Sequence, residues 1–254
     1  MPELTPMLKQ YYEIKEKHPN ELLFFRLGDF YELFGNDAKE ASQILDIVLT
    51  ARSKGTPNEM PMCGIPYHAL ENYLAKLLRA GKRVAICDQV SDPTLPGIVK
   101  REVIQVVTPG TTLVDSTLNR KSNNYIISLI EQKGLWGMAI ADLTTGEFKV
   151  TEIVDFNLLK NELFRFSAAE VIVNSNLRND TRYTEFLNSL NNLNVWQLTA
   201  FDKAYSVLLN HFKIKNLQSY GIENLKIGIE SAGTLIKYLK ETQKTDLSHI
   251  RKIS

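Results

Sequence analysis

The side chains whose type and spacing could do chemistry fall in one run near the start, Leu22 to Phe34, which reads Leu-Leu-Phe-Phe-Arg-Leu-Gly-Asp-Phe-Tyr-Glu-Leu-Phe. Apolar and aromatic residues flank Gly28-Asp29, and a glycine followed by a polar residue between two such runs marks a two-residue hairpin loop. Side chains alternate faces along a strand, so Phe30 and Glu32 share one side, with Tyr31 and Leu33 on the other. The ordinary reading of such a hairpin is core, its rings packed on helices and Glu32 at the solvent edge. The sharper reading is a wedge. An exposed ring can enter a duplex from the minor groove, unstacking one base step at a cost of roughly a few kcal/mol and kinking it. That cost is lower where a mispair has already weakened the step, so a wedge reads deformability rather than base sequence. A carboxylate at Glu32 would be repelled by phosphates along intact duplex, yet could accept a hydrogen bond from a base edge exposed when the helix opens. Arg52, Lys54, Tyr67 and His68 are candidates to hold the backbone. Each has a plainer reading too: Arg52 and Lys54 as a solvated loop, Tyr67 and His68 as the cap and packing of a helix that starts there.

Other chemistries find less support. The sequence has no Gly-x-x-x-x-Gly-Lys-Ser/Thr and no Gly-x-Gly-x-x-Gly, so no recognisable nucleotide loop. His18, His68, His211 and His249 are scattered without paired spacing, and Cys63 and Cys87 stand too far apart for a metal-binding pattern. The two thiols are expected to be reduced and packed as small apolar groups. The enzymatic alternative is a metal-dependent, ribonuclease-H-like nuclease in the second half, which needs several converging carboxylates for two Mg ions. Asp142 and Glu147 flank a hairpin there, but the preceding run Tyr125 to Ile130 carries no acid inside it and Glu131 only follows its end. This stretch is therefore expected to bind rather than catalyse, with Asp142 as the residue on which the nuclease reading would turn.

A chain of 254 residues with 44% hydrophobic and 23% charged side chains is a globular protein with room for two domains. No run approaches the roughly 18 consecutive apolar residues of a membrane span. The start Met1-Pro-Glu-Leu-Thr lacks a secretory pattern, so the expected compartment is cytoplasmic. The formal net charge of +1 is not that of a protein holding nucleic acid by charge alone. Residues 1–110 carry 13 cationic and 14 acidic side chains, the remaining 144 residues 17 and 15. Any DNA binding by this chain should be weak and strongly salt-sensitive.

The elements that must position the candidate residues can be read in order. Thr5-Pro6 caps a leading helix within residues 3–18. After the hairpin, Asn36-Asp37 opens a second helix with Ala38, Ala41, Ile44 and Leu45 on one face. The β-branched run Ile47 to Thr50 predicts a strand, leading into a polar loop from Ala51 to Glu59. Pro66 reads as the first-turn residue of a helix reaching Ala80, closed by Gly81. Val84 to Val90 and Val99 to Val107 are two further strands, separated by a loop with Pro93 and Pro96. The first unit is thus mixed α/β with a sheet of about five strands. From Thr108 to Asn124 the chain turns polar. Beyond it Tyr125 to Ile130, Trp136 to Leu143 and Glu147 to Ile153 form two successive hairpins, followed by a helix at Phe156 to Phe166, a strand at Glu170 to Val173, a short strand at Asn194 to Leu198, and helices at Phe201 to Phe212 and Gly228 to Thr242. Three antiparallel strands followed by alternating helices and strands is a ribonuclease-H-like layout. The boundaries expected are 1–112, a linker 113–124 and a second domain 125–250. The final residues, His249 to Ser254, look cut rather than finished.

The residues themselves then carry a resemblance. Arg26-Leu-Gly-Asp-Phe-Tyr-Glu-Leu-Phe34, Pro61-Met-Cys-Gly-Ile-Pro-Tyr-His68, Ala75-Lys-Leu, Val84-Ala-Ile-Cys-Asp-Gln-Val90 and Val107-Thr-Pro-Gly-Thr111 stand in an order and spacing that resembles the amino-terminal part of the bacterial MutS DNA mismatch-repair proteins, across essentially the whole chain. The resemblance implies an α/β mismatch-recognition domain followed by a ribonuclease-H-like connector. It implies that Phe30 stacks on a mispaired base from the minor groove and that Glu32 hydrogen-bonds to it, making mismatched double-stranded DNA the partner. It implies further that the connector communicates with the partner protein MutL, that ATP and Mg belong to an ATPase segment outside this chain, and that the full-length protein is a homodimer, the fragment a monomer. No cofactor or metal is implied for these 254 residues. A third possibility, from a different class, is a pure protein-interaction module in which the first unit is inert.

Overall fold

The computed structural model describes residues 5–56, 59–91, 96–112, 123–190 and 192–254. It divides into two compact units, Met1–Pro109 and Gly110–Ser254. The proposed linker 113–124 falls almost wholly outside the described residues, as does Pro93.

The first unit begins with α1 (Pro6–Lys17), capped by the Thr5 hydroxyl, which accepts from the Leu8 amide at 3.4 Å. The hairpin β1 (Leu22–Leu27) and β2 (Phe30–Phe34) follows, then α2 (Gly35–Leu45), β3 (Thr50–Arg52), β4 (Met60–Pro66), a single 3-10 turn at Tyr67–Ala69, α3 (Leu70–Arg79), β5 (Val84–Gln89) and β6 (Arg101–Val107). They form a six-stranded mixed sheet in the order β3-β4-β2-β1-β5-β6, with β1 and β5 parallel and the other neighbours antiparallel. The alternation of the strands sends Leu23, Phe25 and Phe34 to one face, where Tyr11 of α1 meets Phe25 and Phe34 edge-on at ring-centroid distances of 5.5 and 4.9 Å. Tyr31, Leu33, Cys63 and Ile65 point to the opposite face, covered by α2 and α3; the Cys63 thiol lies 3.4 Å from the Ala38 carbonyl.

Three local expectations need correction. The strand expected at Ile47–Thr50 begins only at Thr50, and Val48 is 82% exposed: β-branched propensity could not act where no neighbouring strand offers a ladder. Consequently Arg52 lies in a strand, not a loop. Pro66 is not a first-turn residue: it ends β4, a strand the sequence hid behind Pro61, Gly64 and Pro66, and caps the 3-10 turn Tyr67–Ala69 that leads straight into α3. And α2 is not capped by Asn36 or Asp37, since the helix begins at Gly35. Asp37 is buried instead, accepting from the Leu23 amide at 2.9 Å and pairing with Lys15, so it ties α1 and α2 to the hairpin.

The second unit has β7 (Tyr125–Gln132), β8 (Leu135–Asp142), β9 (Glu147–Ile153), α4 (Phe156–Phe166), β10 (Glu170–Val173), α5 (Ser175–Arg178), α6 (Thr184–Ser189), β11 (Leu193–Val195), α7 (Phe201–Phe212) and α8 (Lys226–Gln243). The sheet order is β11-β10-β7-β8-β9, with the two hairpins antiparallel and β10 and β11 parallel to β7. That is the ribonuclease-H-like arrangement. One face packs against α7 and α8, the other against α4, α5 and α6. A β-carbon on Gly137 would lie 2.3 Å from the Ile227 carbonyl oxygen, so glycine is what lets α8 approach β8 this closely.

Candidate functional site

Phe30, Glu32 and Phe34 form one row along β2, and their exposure falls from the loop inward. Phe34 is 1% exposed beneath Tyr11, Glu32 is half-buried, and Phe30 is 47% exposed. The gradient has a simple origin: the rings of α1 cover the Phe34 end of the face, while the turn end extends past them. In register, Phe30 faces Pro66 and Glu32 faces Gly64 on β4. A β-carbon at Gly64 would come within 3.2 Å of the Tyr31 carbonyl and 3.5 Å of the Glu32 side chain. Glycine there leaves the carboxylate room beside its own strand.

Arg52 reaches Glu32 from β3, its Nη1 donating to Oε2 at 3.3 Å, while its guanidinium lies 5.7 Å from the Phe34 ring centre. Burial raises the Glu32 carboxyl above its ordinary value, and the Arg52 charge pulls the other way. Tyr67, 44% exposed, follows directly after Pro66, and His68 stands edge-on to it with ring centroids 5.8 Å apart. Phe30, Glu32, Arg52, Tyr67 and His68 are therefore gathered around β2 and β4. Lys54 lies in the exposed turn after β3.

One residue was not singled out by its type. Arg26, two positions before the loop, places its guanidinium 3.7 Å from the Tyr67 ring centre and donates from Nε to the Gly28 carbonyl at 2.5 Å. Its position two residues before a glycine turn was the available signal. Behind the loop, the Tyr31 hydroxyl donates to Asp88 on β5 at 2.8 Å, and burial followed by that bond pushes the phenol up to about 12.

The carboxylates of the nuclease alternative are engaged elsewhere. Asp142 is fully buried and accepts from the Thr144 amide and hydroxyl at 2.7 and 2.6 Å and from the Asn124 amide at 3.1 Å, closing the β8–β9 turn. Glu147 takes the Tyr125 hydroxyl at 2.8 Å and pairs with Lys149. Glu131 accepts from the Gly134 amide at 2.6 Å. Among the described residues no three His, Cys, Asp or Glu side chains stand within reach of one metal ion. Nor is any described helix long and apolar enough to cross a membrane. The geometry gives the nuclease reading no support.

Comparison with known proteins bears on both units. The family model described as MutS domain I matches residues 5–116, and that described as MutS domain II matches residues 124–251. The chain is similar to the DNA mismatch repair protein MutS of Syntrophomonas wolfei, at 42% identity over 261 residues, covering 100% of this chain and 30% of the relative. It is similar as well to proteins of the same name from Ruminiclostridium cellulolyticum, at 42% over 259 residues with 99% and 29% covered, and from Acetivibrio thermocellus, at 43% over 261 residues with 99% and 29% covered. The chain spans about 30% of the length of the curated relatives it matches.

Proposed function

The chain belongs to the MutS family of DNA mismatch-repair proteins, and from that premise we propose that its first unit recognises mispaired double-stranded DNA through the Phe30–Glu32 row. The single observation that carries the reading is a phenylalanine ring left half in water at a hairpin tip, on the same strand face as a half-buried carboxylate. Elsewhere on β2 the apolar rings are sealed, so the exposed one stands out against its own strand. In this reading Phe30 enters from the minor groove and stacks on a mispaired base, where duplex stiffness is already reduced. Glu32 accepts a hydrogen bond from the exposed base edge and repels phosphates where the duplex is intact. Arg52, Tyr67 and His68 lie close enough to contact the backbone on either side.

The second unit is proposed to relay recognition to an ATPase segment, which would hold ATP and Mg, and to MutL. The full-length protein would act as a homodimer in the cytoplasm. These 254 residues then contribute binding and no bond-breaking step.

The test is fluorescence anisotropy of labelled duplexes with and without a single mispair, at low salt, with the wild-type chain and Phe30→Ala. The wild type should favour the mispaired duplex, and the variant should lose on the order of 1–3 kcal/mol of that preference, the value of a base–aromatic stack. Since Phe30 is already half exposed, its truncation should cost folding about 1 kcal/mol or less. Equal affinity of the wild type for both duplexes, or an undiminished preference in Phe30→Ala, would overturn the reading.

A further inference from the structure

The wedge reading asks for more than an exposed ring. A ring at the tip of a two-residue hairpin, with Gly28 and Asp29 both exposed, should sample many poses, and each immobilised side chain then subtracts from affinity on binding. The loop is nevertheless tied down at both of its carbonyls. Gly28 accepts from Arg26 Nε at 2.5 Å, and Asp29 accepts from the Tyr67 amide at 2.9 Å. The two ties are themselves joined, because the Arg26 guanidinium lies 3.7 Å from the centre of the Tyr67 ring. Arg26 is in turn anchored from behind: its carbonyl accepts from Arg101 Nε on β6 at 2.6 Å, and Arg101 Nη1 also donates to the Val99 carbonyl at 2.9 Å and to Gln10 of α1 at 3.3 Å.

We infer that Arg26 is a positioning residue, which with Tyr67 braces the Gly28-Asp29 loop and so holds the Phe30 ring in its projecting pose before any duplex arrives. The inference rests on the wedge reading for its functional consequence, but the brace itself is a property of the free protein. A guanidinium suits this task where an ammonium does not, because its planar fork stacks on a ring while one N–H stays aimed at a carbonyl. Arg26 would therefore matter for its shape, whereas a cation that merely touched phosphates would matter for its charge.

The experiment uses Arg26→Lys, which keeps the charge and loses the fork, together with Tyr67→Ala, the double variant and Phe30→Ala as control. Amide hydrogen exchange at Tyr67 is followed in the free chain, and anisotropy titrations on mispaired and matched duplexes are run at several salt concentrations. The brace requires faster exchange at Tyr67 in Arg26→Lys and a mispair preference lowered about two- to twelvefold, the range set by freeing one ordered side chain. The salt slope should be unchanged, and the double variant should lose less than the product of the two single losses, since the residues act as one unit. Unchanged exchange at Tyr67 in Arg26→Lys overturns the brace, whatever the DNA data show. A charge-removing Arg26→Gln variant, run alongside, separates the remaining alternative: a salt slope shallower by about one unit on both duplexes in Arg26→Gln would mark a phosphate contact instead, and also overturns the brace. If Phe30→Ala keeps the full preference while Arg26→Lys speeds exchange, the wedge reading fails and the brace stands as a structural feature of the loop.

Discussion

Replacing Glu32 by glutamine removes one charge and keeps the shape, and the structure allows the consequences to be worked through term by term. On the proposed reading, the carboxylate meets only phosphates on a matched duplex. One unit charge about 8 Å from another in water is worth about 0.5 kcal/mol, so relief from two or three phosphates amounts to about 1 kcal/mol at low salt and less as the screening length shortens. The substitution does something else that the sequence alone does not show. Arg52 is held by Glu32 at 3.3 Å, so on the same reading Glu32→Gln frees a guanidinium to turn toward the duplex. One added phosphate contact would steepen the dependence of log affinity on log salt by about 0.9. On a mispaired duplex the amide still offers a hydrogen bond, weaker by about 1 kcal/mol than the charge-assisted one, and the relieved repulsion offsets that loss. Selectivity should therefore fall about fivefold to tenfold, mainly because matched DNA binds more tightly. The same change should be reached by acid in the wild type. Burial holds the Glu32 carboxyl above its ordinary 4.5, so as pH falls toward that value the folded protein takes up a proton that the unfolded chain does not. The native state binds the extra proton there, so stability relative to Glu32→Gln improves as pH falls through the window and worsens as pH rises. Matched-duplex affinities of wild type and variant should converge over the same window. Anisotropy titrations at several salt concentrations, at pH 8 and pH 5, supply both readouts. An unchanged salt slope in Glu32→Gln, or a wild-type-to-variant difference that is the same at both pH values, would refute the reasoning.

Three further outcomes follow from the same structure. Gly137→Ala places a β-carbon 2.3 Å from the Ile227 carbonyl oxygen and 2.5 Å from its carbonyl carbon, both of them backbone atoms, and should destabilise the second unit by about 1–3 kcal/mol or more, seen as a lowered denaturation midpoint. Asp142→Asn removes a buried carboxylate that accepts three hydrogen bonds at the β8–β9 turn and should cost about 1–3 kcal/mol; Mg should leave the thermal midpoint of the wild type unmoved, and Mg-dependent cleavage of a duplex would contradict this assignment. Cys63 and Cys87 are buried, with thiols pushed up to about 11 and 12, so a thiol reagent at pH 7.5 should label them only at the rate of unfolding; fast labelling of the native chain would contradict their packing.

How much of this was legible follows from which forces act locally. The hairpin, its two-residue loop and the split of Phe30 and Glu32 from Tyr31 and Leu33 depend only on period-two alternation around a glycine, and all of it is present in the structure. The second unit was equally readable, since three strand-like apolar runs free of proline and broken by Gly134 and Gly146 determine antiparallel pairing almost by themselves. β4 was not readable in the same way. Met60 to Pro66 has one β-branched residue, a glycine and two prolines, and it becomes a strand because β2 and β3 offer ladders on both sides. Its alternation of Cys63 and Ile65 inward with Gly64 outward was the faint signal. Missing β4 had a consequence for the site, because β4 is what sets Gly64 opposite Glu32, Pro66 opposite Phe30 and Tyr67 under the loop.

Why Phe30 projects at all also goes back to a missing piece of packing. The face of the sheet that carries Phe25, Phe34, Met60 and Met62 needs a cover, and α1 supplies it through Tyr11, Met7 and Ile14. Twelve residues at about 1.5 Å per residue give α1 a length of about 18 Å, roughly that of a six-residue strand. Its covering rings are seated at the Phe25–Phe34 end, so the cover stops short of the turn and Phe30 stays outside it. An exposed ring produced that way would ordinarily be a loose end. Here the sheet beyond the cover is stiffened from its other side by the Tyr31–Asp88 bond and at the tip by the ties on Gly28 and Asp29. The same strand thus contributes a sealed end that is paid for by burial and an open end that is held by hydrogen bonds. A substitution that lengthened the apolar cover toward Phe30 would be expected to stabilise the fold and, on the proposed reading, to blunt the wedge together, the trade that any recognition element built on an unburied ring has to make.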